Sequence, residues 1–413
     1  MFVRESMIKT PVNPLEVALA GAASLFVSQG IGRFAFTPLL PLMLHDGIID
    51  VRSGSLLATA NYVGYLVGAL LVAAQPWVLA RSAPACRPSE SSVIKWGLLL
   101  TAILTAGMAW DLPILWLPLR FVTGAVCAYV LIFTSAWCLA HLARHDRTAL
   151  SGVVYSGPGI GIAASGLFAT TLVSRGFHAW LGWLVFGAAS GLLTAVVWNS
   201  FRGNDGEKSR LPLTLQASHI GGARFEIFLL LLAYGLGGFG YIITATFLPV
   251  IARQVLPHTI WIDLFWPIFG LGTVVGASLS IFVSRDLDRR GVLIGSYACQ
   301  TFGVALTLFQ PSVAGFVVGS FLVGLPFALI TLLVMQEARR LRPERANALM
   351  GSLTAVFGIG QIAGPALVGT LFSNASSRDK AFSISLTTAI AALVIATATF
   401  PLAKRLWPLK ITK

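Results

Sequence analysis

Two arginines, Arg33 and Arg120, lie deep inside long apolar stretches of the sequence. A charge within hydrocarbon is expensive and marks a functional position by default. A guanidinium fork matches a carboxylate with two parallel N–H donors, so the chemistry on offer is capture of an anionic group. Asn61 falls at a comparable depth, all three lying about 11–16 Å below the nearer end of their stretches at helical rise. Tyr155, Tyr241, Gln361 and Tyr234 add neutral groups that orient a solute in a mostly apolar cavity. A structural reading competes for each residue. The arginines satisfy backbone carbonyls or snorkel outward, and the neutral residues bond between helices. None of the sixteen acidic residues falls near the centre of a stretch, so neither a buried proton relay nor a cation site is in view.

Enzymatic constellations are missing. No Gly-rich loop carries a phosphate-binding lysine, which disfavours direct use of ATP. No Ser-His-Asp group assembles, and no metal-ligand spacing appears among the four cysteines. Cys127 and Cys138 are eleven residues apart on one helix, about 16 Å, and beyond disulfide reach. The expectation is a non-enzyme without cofactor or metal.

The elements that position these residues follow from composition. Of 413 residues, 56% are apolar and 11% charged, with a mean hydropathy of +0.81. A soluble domain carries about 25% charged residues, so a soluble or disordered chain is excluded. A nucleic-acid binder is excluded too, despite the isoelectric point of about 10.1. Long unbroken apolar runs exclude a β-barrel, whose strands alternate. What remains is an all-α membrane protein in a lipid bilayer. Twelve stretches reach the length of a transmembrane helix, roughly 20 residues. They run over 15–44, 54–80, 94–111, 113–142, 149–174, 178–200, 223–252, 259–284, 291–310, 312–338, 346–373 and 381–403.

The basic residues set the orientation. With the N-terminus inside, 22 Lys and Arg fall on inner segments and five on outer loops. That bias predicts a multi-pass protein with both termini cytoplasmic and assigns the +13 charge to orientation. The polar connection at 201–222 splits the chain into six-helix bundles over 1–200 and 223–413. The bundles repeat one another. Gly30-Ile31-Gly32 with Leu40-Pro41 matches Gly238-Phe239-Gly240 with Leu248-Pro249 at an offset of 208, which also pairs Gly64 with Gly272, Gly68 with Gly276 and Arg33 with Tyr241. Gly159-Ile160-Gly161 resembles Gly358-Ile359-Gly360 at another offset. Twelve transmembrane helices in two six-helix pseudo-symmetric bundles point to a carrier with its site between the halves.

These motifs carry a resemblance. Gly30 through Met43, Asn61-Tyr62-Val63-Gly64-Tyr65 with Gly68-Ala69, Gly238 through Pro249, and Phe357 through Pro365 are similar to the YbfB/YjiJ-type branch of the major facilitator superfamily (MFS). Arg120-Phe121-Val122-Thr123-Gly124 looks like the superfamily's fourth-span Arg-x-x-x-Gly motif, with Thr123 where Gln is common. Gly152 with Gly157-Pro158-Gly159 looks like the antiporter motif of span five. The charged loop motif after span two is diverged, whereas its counterpart after span eight keeps Asp286, Asp288, Arg289, Arg290 and Gly291. The resemblance implies an MFS fold and alternating access in a bacterial inner membrane.

Small residues let helices approach, and prolines kink them. Gly32, Pro38, Pro41, Gly157, Pro158, Gly161, Gly240, Pro249, Gly360 and Pro365 are therefore read as packing and gating positions. Arg33, Asn61, Arg120, Tyr155, Tyr241 and Gln361 are the candidate solute contacts. The expectation is a monomeric secondary active transporter for a small organic solute, anionic or amphipathic, with H+ as a plausible coupling ion. Multidrug or antibiotic efflux by the same fold is the first alternative. A non-transporting membrane sensor or membrane-embedded enzyme is the second.

Overall fold

The computed structural model describes residues 13–79, 89–201, 220–255, 261–283, 287–374 and 378–408. Among these residues the chain is helical, with no strand. The helices are α1 (Pro14–Leu25), α2 (Phe36–His45), α3 (Val51–Leu79), α4 (Glu90–Gly107), α5 (Pro113–Arg144), α6 (Ser151–Ser174) and α7 (Ala179–Val197). They continue as α8 (Ile220–Val255), α9 (Trp261–Leu279), α10 (Arg289–Phe309), α11 (Val313–Leu341), α12 (Ala346–Asn374) and α13 (Arg378–Leu406). Counting α1 and α2 as one rod gives twelve rods among the described residues, and eleven of them are long and apolar enough to cross a membrane. The other is α4, whose first turns carry Glu90 and Lys95 and lower its hydropathy. The 201–222 connection lies outside the described residues apart from its two ends.

The first rod is not the continuous helix that the apolar stretch 15–44 predicts. A π-helical segment, Phe26–Arg33, joins α1 to α2. Phe34 donates its N–H to the Gln29 carbonyl five residues back, at 3.3 Å, and Thr37 donates to Phe34 only three back. Pro38 accounts for the irregular join after Arg33: it has no N–H to give the Phe34 carbonyl and its ring clashes with that carbonyl, whereas Pro41 lies inside α2, which runs through it. π segments inside helices commonly mark functional positions, and this one ends on Arg33.

Helix packing reproduces the repeat seen in sequence. Where α3 crosses α5, a Cβ on Gly64 would overlap the Phe121 carbonyl, and one on Gly124 the Asn61 carbonyl. Where α9 crosses α11, the same holds for Gly272 with the Phe321 carbonyl and Gly324 with that of Phe269. The first rod meets α6 at Gly30 and Gly161. The corresponding contact of α8 with α12 joins Gly238 and Gly360. Gly157 abuts the Ala22 carbonyl, Gly32 abuts Thr101 and Cys127, and Gly240 abuts Leu393. Pro158 and Pro365 lie inside α6 and α12, while the side chain of Pro249 lies outside the described residues. Helices α1–α7 pack largely on one another, as do α8–α13, and the main contacts between the two sets are α6 with α9 and α3 with α12. These interfaces also mirror each other. A Cβ on Gly152 would stand 2.5 Å from the Ala277 carbonyl, and one on Gly351 2.9 Å from that of Ala69.

On the face carrying most of the basic residues, further bonds link the sets. Arg339 donates to the Ala136 carbonyl at 2.8 Å, and Asn347 to Glu90 at 2.8 Å. The same face holds an ionic network joining α8, α10, α11 and α13. Arg340 pairs with Glu226 and, at 2.7 Å, with Glu337. Arg290 grips Asp288 through Nε at 2.9 Å and Nη2 at 3.0 Å, while its Nη1 reaches the carbonyls of Ala403 and Trp407 at the end of α13. Burial raises the Asp288 carboxyl, but the Arg290 bonds outweigh it, and the group titrates below its ordinary 3.8. Its contribution to stability is thus present above that value and is lost as the pH falls through the depressed one. Arg290→Ala strips partners from buried acids and carbonyls, a change that costs about 3–5 kcal/mol. A thermal melt of the purified variant is expected to show a clear drop in midpoint.

Trp110 and Trp180 are largely exposed near rod ends, as an interfacial belt requires. Trp116, near the same rod end as Trp110, is instead buried and donates Nε1–H to the Trp110 carbonyl at 2.9 Å. The side chains of Trp77 and Trp261 lie outside the described residues.

Candidate functional site

The π segment delivers Arg33 to the contact between the two helix sets, where its side chain is only 4% exposed. Nη2 donates to the Gln361 side-chain oxygen on α12, and Gln361 donates through Nε2 to the Tyr241 hydroxyl on α8. Nη1 makes a long 3.5 Å bond to Gln29, one turn back, and Nε has no partner among the described residues. The guanidinium carbon sits 3.6 Å from the centre of the Tyr65 ring, with the Phe34 and Tyr62 rings at 5.3 and 5.8 Å. No ion pair to Arg33 or Arg120 occurs among the described residues. The Arg33 cation is therefore held by neutral groups and aromatic faces, and aromatic faces replace only part of a lost hydration shell.

Arg120 occupies an adjacent position with different partners. Its Nη1 donates to the Gly32 carbonyl at 3.2 Å, the guanidinium stands 4.7 Å from the centre of the Phe36 ring, and Nε is unpartnered among the described residues. Asn61 donates to the Arg120 carbonyl at 3.0 Å, leaving its own Oδ1 unpartnered among those residues. Gly32 is the residue before Arg33, so this chain of bonds runs from α3 through α5 to the π segment. The charges of Arg120 and Arg33 act on each other.

Three sequence-predicted residues thus converge directly: Arg33, Gln361 and Tyr241. Arg120 and Asn61 join them through backbone. Tyr155 does not; it donates to Ser135 at 2.7 Å, between α6 and α5. Tyr234 donates to Thr331 at 3.2 Å and stacks on Phe357.

The aromatic walls were not foreseen. Tyr241 stacks on Phe357 at 5.5 Å and packs on Phe327 at 4.9 Å, while Phe34 meets Trp266 edge-on at 5.9 Å. Tyr65 had a local signal: it stands four residues after Asn61, on the same helical face. Gln29 stands four before Arg33.

The whole-chain comparisons agree with this architecture. The family described as "Uncharacterised MFS-type transporter YbfB" matches residues 25–399. A relative from Yersinia pestis, described as an uncharacterized MFS-type transporter, is 25% identical over 371 residues, covering 86% of this chain and 89% of its own. The match takes in the π segment, both glycine-lined crossings and every residue of the Arg33 cluster; the chain is a multi-pass membrane protein that belongs to the YbfB-type family of MFS transporters.

Proposed function

We propose that this protein moves a small organic anion across a bacterial inner membrane by alternating access, with Arg33 as the anion-binding group. The observation that carries this reading is the buried Arg33 guanidinium, held across the contact between the two helix sets by Gln361, itself bonded to Tyr241, with no ion pair to a carboxylate among the described residues. An arriving carboxylate displaces Gln361 and takes both donors of the fork. The Arg33–Gln361 bond couples the two sets, so exchanging it for a solute bond changes what holds them together. Asn61 and Arg120 place Arg33, and Arg120 adds positive field. In this reading residues 1–200 and 223–413 are the two moving bundles, the termini are cytoplasmic, and the working unit is a monomer. Gly157 and Pro158, buried where α6 crosses α1, support coupling to protons through likeness to the antiporter motif.

Two observations set this reading above efflux of unrelated apolar compounds. A buried guanidinium repels cationic amphiphiles, and the Tyr65, Phe34 and Tyr62 rings pack on it at 3.6, 5.3 and 5.8 Å, leaving little room for large apolar compounds. The test is flux in proteoliposomes across a panel of carboxylates, neutral amphiphiles and cations, with and without a pH gradient. Uptake confined to anions and accelerated by the gradient is expected. Uptake of cations, or of all classes alike, overturns the reading.

A further inference from the structure

Two kinds of bond close the contact between the helix sets around Arg33. One is the link from Arg33 to Gln361. The other is aromatic. Phe34, the next residue along the chain, meets the Phe327 ring of α11 at 6.1 Å and the Trp266 ring of α9 at 5.9 Å, edge-on in both cases. Among the described residues these are the only ring pairs that join one helix set to the other. The remaining pairs, such as Phe36 with Trp183 or Tyr297 with Phe400, lie within one set. Ring packing across the sets is therefore a property of this spot and not of membrane helices at large. Phe327 also leans on Tyr241, the partner of Gln361, at 4.9 Å. Phe34 and Tyr241 are buried, whereas Phe327, which touches both, is only half-buried, so its ring has surface left to cover.

When the two sets part, the Arg33–Gln361 bond and the Phe34–Phe327 pair are lost together. A ligand shifts such an equilibrium only by its extra contacts in the state it favours. A carboxylate on the Arg33 fork replaces the first loss and nothing else. A ring carried beside that carboxylate replaces the second, in the edge-to-face or offset arrangement that aromatic pairs prefer. We infer that the solute is an aromatic acid, its ring lying between Phe34 and Phe327 while its carboxylate lies on Arg33. The inference rests on Arg33 binding the acid. Phe34 stands 5.3 Å from the guanidinium carbon, which suits a ring joined to the carboxyl carbon directly or through a single methylene. The ring also explains why the fork is set among aromatic faces: Tyr65 lies 3.6 Å over the guanidinium and orients its plane, leaving the edge toward Gln361 for the acid.

The probes are benzoate and phenylacetate, each matched with its saturated counterpart, cyclohexanecarboxylate or cyclohexylacetate, and titrated against the full-length protein in nanodiscs. The saturated acids carry the same charge and at least as much apolar surface, so burial alone does not favour the aromatic members. In the better-fitting pair the aromatic acid is expected to bind about three- to tenfold tighter, the worth of a ring pair beyond its buried area. The double variant Phe34→Leu/Phe327→Leu is expected to bring that ratio near one, and its remaining affinity for the saturated acids shows that it is folded. Phe327→Leu alone is expected to give an intermediate ratio. Arg33→Met is expected to lose all four acids. Equal affinity within both pairs in the wild type, or tighter binding of the saturated members, with Arg33 still required, overturns the aromatic class but not the anion site. A ratio that survives Phe327→Leu and the double variant unchanged overturns the placement of the ring. Binding of no member, or binding indifferent to Arg33, removes the anion reading and this one with it.

Discussion

Arg33→Met is expected to abolish solute movement while leaving the protein as stable as the wild type or more so. The two halves of this result have separate causes. Truncating a buried charged partner of a ligand costs about 2–5 kcal/mol of binding, roughly thirtyfold or more. Folding carries the opposite sign. Arg33 is buried without a counter-ion, one of its nitrogens has no partner among the described residues, and another makes only a 3.5 Å bond. A buried charge without a counter-ion keeps an uncompensated desolvation cost, which an apolar side chain of similar length removes. A melt of purified protein and a flux assay on the same preparation read both halves. A structural role for Arg33 predicts the reverse, a lowered midpoint with flux retained in the surviving protein. Arg33→Lys keeps the charge but loses the fork, and is expected to fall between. Arg33 and Gln361 touch, so their alanine variants are expected to be non-additive in apo stability, with a coupling of about 0.5–3 kcal/mol.

The second large effect is expected at the glycines of the helix crossings. Gly64→Val and Gly124→Val each drive a side chain into a backbone carbonyl of the facing helix, as do Gly272→Val and Gly324→Val in the other half. A flexible side chain moves aside, but here the obstacle is main chain held in its own hydrogen-bond ladder. Overpacking of this kind costs about 1–3 kcal/mol or more. A severe loss of monodisperse protein on size-exclusion chromatography is expected for each. Gly191 and Gly295 provide the contrast. They also lie within helices, α7 and α10, but a Cβ on either would meet nothing within 4 Å. There Ala is expected to be neutral or to gain up to about 1 kcal/mol, the helix-propensity difference from Gly. Equal tolerance at all these positions contradicts the packing described for the crossings.

The sequence-level reading succeeded where local physics decides. Hydropathy and length placed the rods because a backbone in lipid must satisfy its own hydrogen bonds. Glycine spacing exposed the repeat because only glycine permits those crossings: the 208-residue offset that pairs Gly64 with Gly272 also pairs Asn61, whose carbonyl meets Gly124, with Phe269, whose carbonyl meets Gly324. The repeat also gave the pointer from Arg33 to Tyr241. What stayed illegible is non-local. Gln361 meets Arg33 across 328 positions. Periodicity carries no mark of that pairing, nor of the aromatic box assembled from α3, α8, α9, α11 and α12. Arg120 looked equivalent to Arg33 because depth was the only variable available. The structure separates them by partner, a carbonyl in one case and a neutral side chain across the helix sets in the other. The π segment was hidden because apolar stretches have no signature for a change of turn within them.

The most direct measurement is a thermal-shift screen of metabolites on the purified protein, with each stabilising compound re-measured on Arg33→Met. A ligand that binds only the native state raises its apparent stability. The stabilising compounds are expected to carry an acidic group, and their shifts are expected to vanish in the variant. Stabilisation by neutral or cationic compounds, or by anions whose shift survives the loss of Arg33, contradicts the assignment of this arginine as the anion-binding group.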